Sequence, residues 1–135
     1  MQIADPPRIR AIADRAARTP ASETVRKALA AQSGEPIGYR HVQLACGATV
    51  LSVAHNWYLP SRLTPDMNRR LESSDTPFGT VVAPLGFRRE RLATVRGTIP
   101  ACPARTILAH RAVLRLRDGQ AFSYVIECYT RANLP

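Results

Sequence analysis

The chain has 135 residues and a mass of 14.8 kDa, which is the size of one domain. Its 45% hydrophobic and 21% charged residues exclude a disordered or collagen-like chain. No apolar run approaches the roughly 20 residues that cross a bilayer. The net charge is +9, but the arginines are scattered, aromatic residues make up 6%, and no nucleic-acid-binding motif is legible. We therefore expect a field that attracts small anions, and the composition argues against nucleic-acid binding.

The three cysteines, Cys46, Cys102 and Cys128, are an odd number and contain no CxxC pair. This pattern predicts neither a disulfide framework nor a zinc site. The histidines are not at metal-ligand spacings, so we expect no metal. The N-terminus lacks the apolar core of a secretory signal, and we expect a cytoplasmic protein without a membrane span.

The first 35 residues predict two helices. Two prolines after Asp5 are typical of a helix start, and apolar residues recur at helical spacing from Ile9 onwards. After a break at Pro20, Ser22 is a candidate N-cap for a second helix. The segment 1–35 is therefore predicted to be helical.

From Tyr39 onwards the apolar period is two. The segments YRHVQLA and VLSVAHNWY predict a hairpin, and residues 63–71 predict a short helix capped by Thr64. The stretch SSDTPFGT predicts a turn, and the segments VVAPLGF and RLATVRG predict two strands. A second hairpin, ILAHRAVLRLR and QAFSYVIECYTR, surrounds an Asp-Gly pair at its turn. Helices followed by consecutive strands predict an α+β fold with an antiparallel sheet of about six strands. We expect a single domain over 1–135, in which residues 39–135 form the sheet and a ligand pocket.

Strand phase identifies a charged residue on the apolar side of the first hairpin. Arg40 shares its parity with Val42 and Leu44, which should face the core. A two-residue turn at Gly47 would set Arg40 opposite His55.

The last hairpin contains a second such residue. A two-residue turn would pair Leu116 with Ala121 and His110 with Glu127, so that Glu127 projects inward beside His110. A buried charge must be paired, hydrogen-bonded or neutralised. Either Arg40 and Glu127 pair with each other or reach solvent at strand ends, or they line a closed pocket. In such a pocket Arg40 would bind a carboxylate and Glu127 a hydroxyl or ether oxygen. The pattern leaves both interpretations open.

The order of these segments, together with the TPFG turn and the YR…Gly-turn…LP pattern, resembles the chorismate pyruvate-lyase family. The resemblance extends from Tyr39 to Pro135. That family shares its fold with the effector-binding domains of some bacterial transcription regulators. One departure is visible, because the spacing from Gly119 to Glu127 is one residue longer than in the family, which predicts a β-bulge.

The resemblance implies an enzyme that converts chorismate to 4-hydroxybenzoate and pyruvate, without a cofactor, at the head of ubiquinone biosynthesis. It implies that Arg40 and Glu127 are the catalytic residues. Arg40 would bind the ring carboxylate with the help of the backbone of Phe78 and Gly79, and Glu127 would be the acid or base near the C4 oxygen. His55 and His110 are expected beside these groups and complete the substrate-binding set. Departures from the family at both histidines keep a second interpretation open. It is a non-catalytic domain of the same fold that senses a small aromatic carboxylate, as monomer or dimer.

Overall fold

A computed structural model describes residues 9–14 and 18–133, and its centre is one six-stranded antiparallel sheet. The strands are β1 (Ile9–Ala13), β2 (Gly38–Cys46), β3 (Thr49–Tyr58), β4 (Arg88–Arg96), β5 (Leu108–Arg115) and β6 (Ala121–Tyr129). They lie in the order β1-β2-β3-β6-β5-β4, so the two predicted hairpins meet at the centre and β1 and β4 form the edges. The α+β prediction with about six strands is confirmed. No helix in the described part of the chain is long and apolar enough to cross a membrane.

Three α-helices among the described residues cover the two faces of the sheet. They are α1 (Glu23–Leu29), α2 (Pro65–Ser73) and α3 (Phe78–Val82). Helix α1 packs on the face that carries Val53 and Trp57, here called the α1 face. Helices α2 and α3 pack on the face that carries Tyr58 and Leu114, here called the α2–α3 face. Because strand side chains alternate, consecutive residues of β2 and β3 serve different faces.

The predicted caps of α1 and α2 are confirmed. The Ser22 hydroxyl accepts a hydrogen bond from the Val25 N–H at 3.2 Å, and the Thr64 hydroxyl accepts one from the Met67 N–H at 3.2 Å. Each cap satisfies an N–H group that has no acceptor within its helix.

The prediction of helix for the whole N-terminal segment is wrong for residues 9–13, which form β1. Ile9, Ala11 and Ala13 also fit a period of two, and β1 pairs with β2 from Ile9–Cys46 to Ala13–Val42. The open edge of β2 satisfies the backbone groups of this segment, and such a tertiary contact overrides local spacing. Residues 1–8 and 15–17, on which the rest of that predicted helix falls, lie outside the described residues. That residues 1–135 form a single domain stays a prediction.

The predicted strand VVAPLGF is also wrong. Residues 78–82 form α3 and Ala83–Leu85 form a 3-10 turn that ends at Gly86, with φ of 63°. Pro84 lacks the N–H that a ladder needs, while Val81 and Val82 are fully buried in the α2–α3 face. A short apolar run does not by itself separate a buried strand from a buried helix.

The prediction that the cysteines form no disulfide is wrong as well. Cys102 and Cys128 are joined by a disulfide, with their Cα atoms 5.7 Å apart, and Cys46 is not part of a disulfide among the described residues. The bond connects the segment after β4 to β6, at a sequence separation of 26. The pair could not be predicted from spacing because the fold of that segment over the sheet brings the two residues together.

Candidate functional site

Arg40 lines a cavity of about 480 Å³. Only 7% of the residue is exposed. Its guanidinium donates to the Thr76 carbonyl at 3.1 Å and to the Ser74 carbonyl at 3.3 Å. The loop between α2 and α3 therefore holds this side chain in one orientation. Because a buried cation must be compensated, these backbone oxygens reduce the cost of its burial.

The cavity lies at the start of β2, beyond the end of β1. The last pair of β1 with β2 is Ala13–Val42, and the Asp14 N–H donates to the His41 carbonyl at 2.9 Å, so β1 ends where the cavity begins. For this reason both faces of β2 contribute to its walls, through Tyr39, Arg40 and His41. Its charged lining residues are Asp14, Arg18, Arg40 and Glu72. A wall of this kind suits a ligand that carries an anionic group together with polar groups that donate hydrogen bonds.

The ring of Tyr58 forms another wall and depends on a glycine. A Cβ atom on Gly38 would overlap this ring, so the absence of a side chain lets the ring lie against the backbone of β2. Tyr58 also packs against Phe78, with ring centroids 5.4 Å apart. Burial raises the pKa of Tyr58, so its phenol stays neutral and remains a hydrogen-bond donor.

Glu127 lies on the same face of the sheet as Arg40, as the strand parity predicts. The register runs from Arg40 through Asn56 to Val125, two residues before Glu127. Two strand spacings of about 4.8 Å and two residues of about 3.3 Å each put the Cα atoms roughly 12 Å apart. Glu127 does not line the Arg40 cavity. The structure thus brings both charges to one face but not into one pocket.

The carboxylate of Glu127 is bound by its own neighbours. It forms an ion pair with Arg89 of β4 and accepts a hydrogen bond from the Tyr129 hydroxyl at 3.0 Å. Burial and the adjacent carboxylate raise the pKa of Tyr129 to about 12. The expected pairing of His110 with Glu127 is confirmed. Burial and the charges of Arg91 and Arg89 lower the pKa of His110, so its ring is neutral near pH 7.

The predicted place of His55 is wrong. Asn56 is opposite Arg40, and His55 is opposite His41 on the α1 face. The two-residue turn at Gly47 is present, but the pairing shifts between Leu44 and Ala45. From Leu44 back to Gly38, each residue of β2 therefore pairs with the β3 residue one position later than predicted, which moves the predicted partner to the other face. His55 therefore does not belong to the face of Arg40. Asn56, which sequence reasoning missed, is 6% exposed and accepts a hydrogen bond from the Ser123 hydroxyl.

His55 connects two parts of the α1 face. Its Nε2 donates to the Ala101 carbonyl and its Nδ1 accepts from the Tyr39 hydroxyl, both at 2.7 Å. The carbonyl only accepts, which fixes the proton on Nε2 in the neutral ring. Burial lowers the pKa of His55. Its hydrogen bond to Tyr39, a wall residue, links this ring to the cavity from the face opposite to Arg40.

Phe78 and Gly79 begin α3, directly after the loop that holds Arg40. Their backbone N–H groups fall in the first turn, where no intrahelical acceptor exists. The Phe78 ring packs between Tyr58 and Phe122, at 5.4 and 6.2 Å. The structure thus places this turn next to the cavity wall, and a role in carboxylate binding stays a prediction.

Comparison with known proteins supports the fold and leaves the activity open. No family model matches the chain. An uncharacterized protein of Sinorhizobium fredii, y4mC, is 42% identical over 129 residues, and the match covers 82% of this chain. The chain spans about half the length of that relative, 54%.

Solved structures with a similar fold include ligand- and effector-binding domains of transcription regulators. The ligand-binding domain of a GntR-family regulator from Bordetella bronchiseptica superposes with a TM-score of 0.67 at 16% identity, covering 96% of this chain and 87% of that one. PhnF from Mycobacterium smegmatis superposes with a TM-score of 0.71 at 14% identity, and the match covers 94% of this chain and 60% of that one. The effector-binding domain of the B. subtilis trehalose repressor gives 0.61 at 13% identity, covering 93% of each chain. The chain has the chorismate lyase-like fold of these effector-binding domains.

Proposed function

We propose that the chain is an effector-binding domain that holds a small aromatic or pre-aromatic carboxylate in the Arg40 cavity and does not transform it. The fold neighbours are ligand-binding domains, which supports binding over catalysis. The volume of about 480 Å³ is within the range of small-molecule sites. A molecule the size of 4-hydroxybenzoate or chorismate fits a space of this order.

The orientation of Arg40 carries the proposal. Because the Ser74 and Thr76 carbonyls already fix the guanidinium, a ligand does not have to order it, and less affinity is lost on binding. A planar guanidinium recognises a carboxylate through two parallel hydrogen bonds. The rings of Tyr39 and Tyr58 in the walls suit a flat apolar ligand body.

The position of Glu127 argues against the lyase interpretation. A lyase acid must reach the ether oxygen of a substrate whose carboxylate is bound by Arg40. Glu127 does not line that cavity, and Arg89 and Tyr129 bind its carboxylate. Binding without turnover is therefore the function that this geometry supports best.

Calorimetric titration of the 135-residue chain with 4-hydroxybenzoate tests the proposal. We expect Arg40→Ala to weaken binding at least about tenfold, because a hydrogen bond to a charged group contributes about 1.5–3 kcal/mol. The matched control is Arg96→Ala, an exposed arginine on β4 at the far edge of the sheet, which should leave the affinity unchanged. Equal losses in both variants, or no binding by the unaltered chain, would contradict the proposal. Release of pyruvate from chorismate would restore the lyase interpretation.

A further inference from the structure

The segment between β4 and β5 folds over the α1 face of the sheet. We call residues 97–107 the 97–107 loop. Its ends are fixed to the sheet, since the Gly97 N–H donates to the Ile107 carbonyl at 2.7 Å and the Ile107 N–H to the Tyr129 carbonyl at 2.9 Å. Its middle packs against the apolar core of the α1 face through Ile99, Ala101 and Cys102.

Two bonds attach the middle of this loop to the sheet, at adjacent residues. Cys102 forms the disulfide with Cys128 of β6, and the Ala101 carbonyl accepts the hydrogen bond from His55 of β3. Since the two attachments are one residue apart, a displacement of Cys102 also moves the Ala101 carbonyl. The disulfide therefore keeps the acceptor of His55 in place.

The two sulfur-bearing residues differ in their exposure. Cys128 is 1% exposed, whereas Cys102 is half-buried and is followed by the exposed residues 103–105. A thiolate of a dithiol reductant therefore attacks Cys102. The S–S bond breaks, Cys128 leaves as a thiolate and takes up a proton. The second thiol of the reductant then attacks the mixed disulfide and releases Cys102. The chain gains two electrons and two protons, and the dithiol becomes a disulfide.

His55 transmits the state of this bond to the cavity. With the Ala101 carbonyl in place, Nε2 carries the proton and Nδ1 is held as the acceptor of the Tyr39 hydroxyl. Without that carbonyl, neither the tautomer nor the ring orientation of His55 is fixed, and Tyr39 loses its fixed acceptor. His41, a second cavity residue, packs against the same ring at 4.9 Å. Two wall residues of the cavity thus depend on one imidazole.

We infer that the Cys102–Cys128 bond is a thiol–disulfide exchange site for dithiol proteins, and that its reduction weakens ligand binding in the Arg40 cavity. The second half of this inference rests on the proposed function. In the reducing compartment that the sequence leads us to expect, the bond forms only under oxidation. The domain then binds its effector tightly when the cell is oxidised and weakly when it is not.

The test compares the oxidised chain with the chain reduced by dithiothreitol under native conditions, with thiols counted by alkylation and mass spectrometry. We expect one alkylated cysteine before reduction and three after it. The affinity for 4-hydroxybenzoate should fall at least about fivefold on reduction. Cys46→Ser should keep this response. The double variant Cys102→Ser/Cys128→Ser should bind like the reduced chain with or without dithiothreitol, and His55→Asn should bind weakly in both states.

Trp57 provides a readout that needs no ligand. It is the only tryptophan, it stacks on His55 with ring centroids 5.8 Å apart, and it contacts the Tyr39 ring at a tilt, with centroids 5.4 Å apart. Its emission should change on reduction in the ligand-free chain and in the Cys46→Ser variant. If neither redox form binds 4-hydroxybenzoate, the proposed function fails, and an emission change then still supports the exchange site and its relay. A bond that resists dithiothreitol, or an unchanged Trp57 spectrum, would overturn the inference, as would equal affinities of two redox forms that both bind 4-hydroxybenzoate.

Discussion

Gly38 is the residue on which one wall of the cavity depends. A Cβ atom at this position would overlap the ring of Tyr58, and that ring cannot move freely because it packs against Phe78. The close approach of the ring to the β2 backbone therefore requires glycine. Substitution here tests the packing of the wall without changing any charge.

We expect Gly38→Ala to lower the free energy of unfolding by about 1–3 kcal/mol, which is typical of overpacking, and to weaken ligand binding through the displaced Tyr58 ring. The measurement is urea denaturation followed by Trp57 emission. Gly79→Ala is the matched control, because its Cβ would meet no atom within 4 Å. In the first turn of α3 this control should be neutral or stabilising by up to about 1 kcal/mol. A Gly38 variant as stable as the control would show that the ring yields without cost.

At the scale of the elements, the hairpins could be predicted but their exact register could not. Alternating apolar residues and the turn residues at Gly47 and Gly119 locate both hairpins. The pairing is shifted by one residue between Leu44 and Ala45 and again between Leu114 and Arg115. The first shift moved His55 to the other face. No residue type marks that position, since a bulge reflects the twist of the whole sheet.

The second shift could be predicted by comparing the spacing from Gly119 to Glu127 with that in the chorismate pyruvate-lyase family, which the sequence resembles. The extra residue between Gly119 and Glu127 predicted a bulge, and the structure has one near the turn, where Arg115 pairs with Ala121. The predicted Leu116–Ala121 pair is wrong for this reason. Beyond the bulge the pairing of His110 with Glu127 is as predicted. Edge strand β1 and the disulfide depend on contacts between distant segments. The local pattern of β1 fits a helix and a strand alike, and the spacing of the cysteines does not reveal their pairing.

Helix α2, whose N-cap Thr64 could be predicted from the sequence, contributes directly to the cavity. It contributes Leu71 and Glu72 to the cavity, and the following loop supplies Ser74, which binds Arg40. We expect Thr64→Ala, which removes the N-cap, to cost about 1 kcal/mol of stability and to weaken ligand binding. Denaturation and titration calorimetry check both effects. Ser73→Ala, at the exposed last residue of α2, should change neither. An unchanged affinity in the Thr64 variant would show that α2 does not set the position of Arg40.

At the scale of the whole molecule, the two faces of β2 and β3 carry different groups of polar residues. On one side of β2 and β3 lie Arg40 and Asn56, and on the other lie Tyr39 and His55. Because alternate residues of one strand face opposite sides, a change on the α1 face reaches the cavity through a single backbone. The net charge of +9 surrounds both faces with a field that favours anions.

The stability of the whole fold should depend on two histidines on opposite faces. Burial lowers the pKa of His55 and of His110 below the ordinary value of 6.5. The unfolded chain therefore binds protons more readily than the folded one, and unfolding takes up protons as the pH falls below 6.5. This contribution to the free energy of unfolding is complete at pH values above the unfolded-state pKa of 6.5. It is lost as the pH falls below 6.5 towards the lower pKa values of the folded state.

We expect the free energy of unfolding to be smaller at about pH 5.5 than at about pH 7.5, with the two histidines titrating below 6.5 in NMR. His110→Gln should reduce this difference, because one of the two groups no longer titrates. The lowered pKa of Glu35 does not contribute, since its ordinary value of 4.5 lies below this window. A stability that rises on acidification would mean that the folded state stabilises a charged imidazole. Both rings would then have to lie in surroundings more favourable to charge than the half-buried positions they occupy.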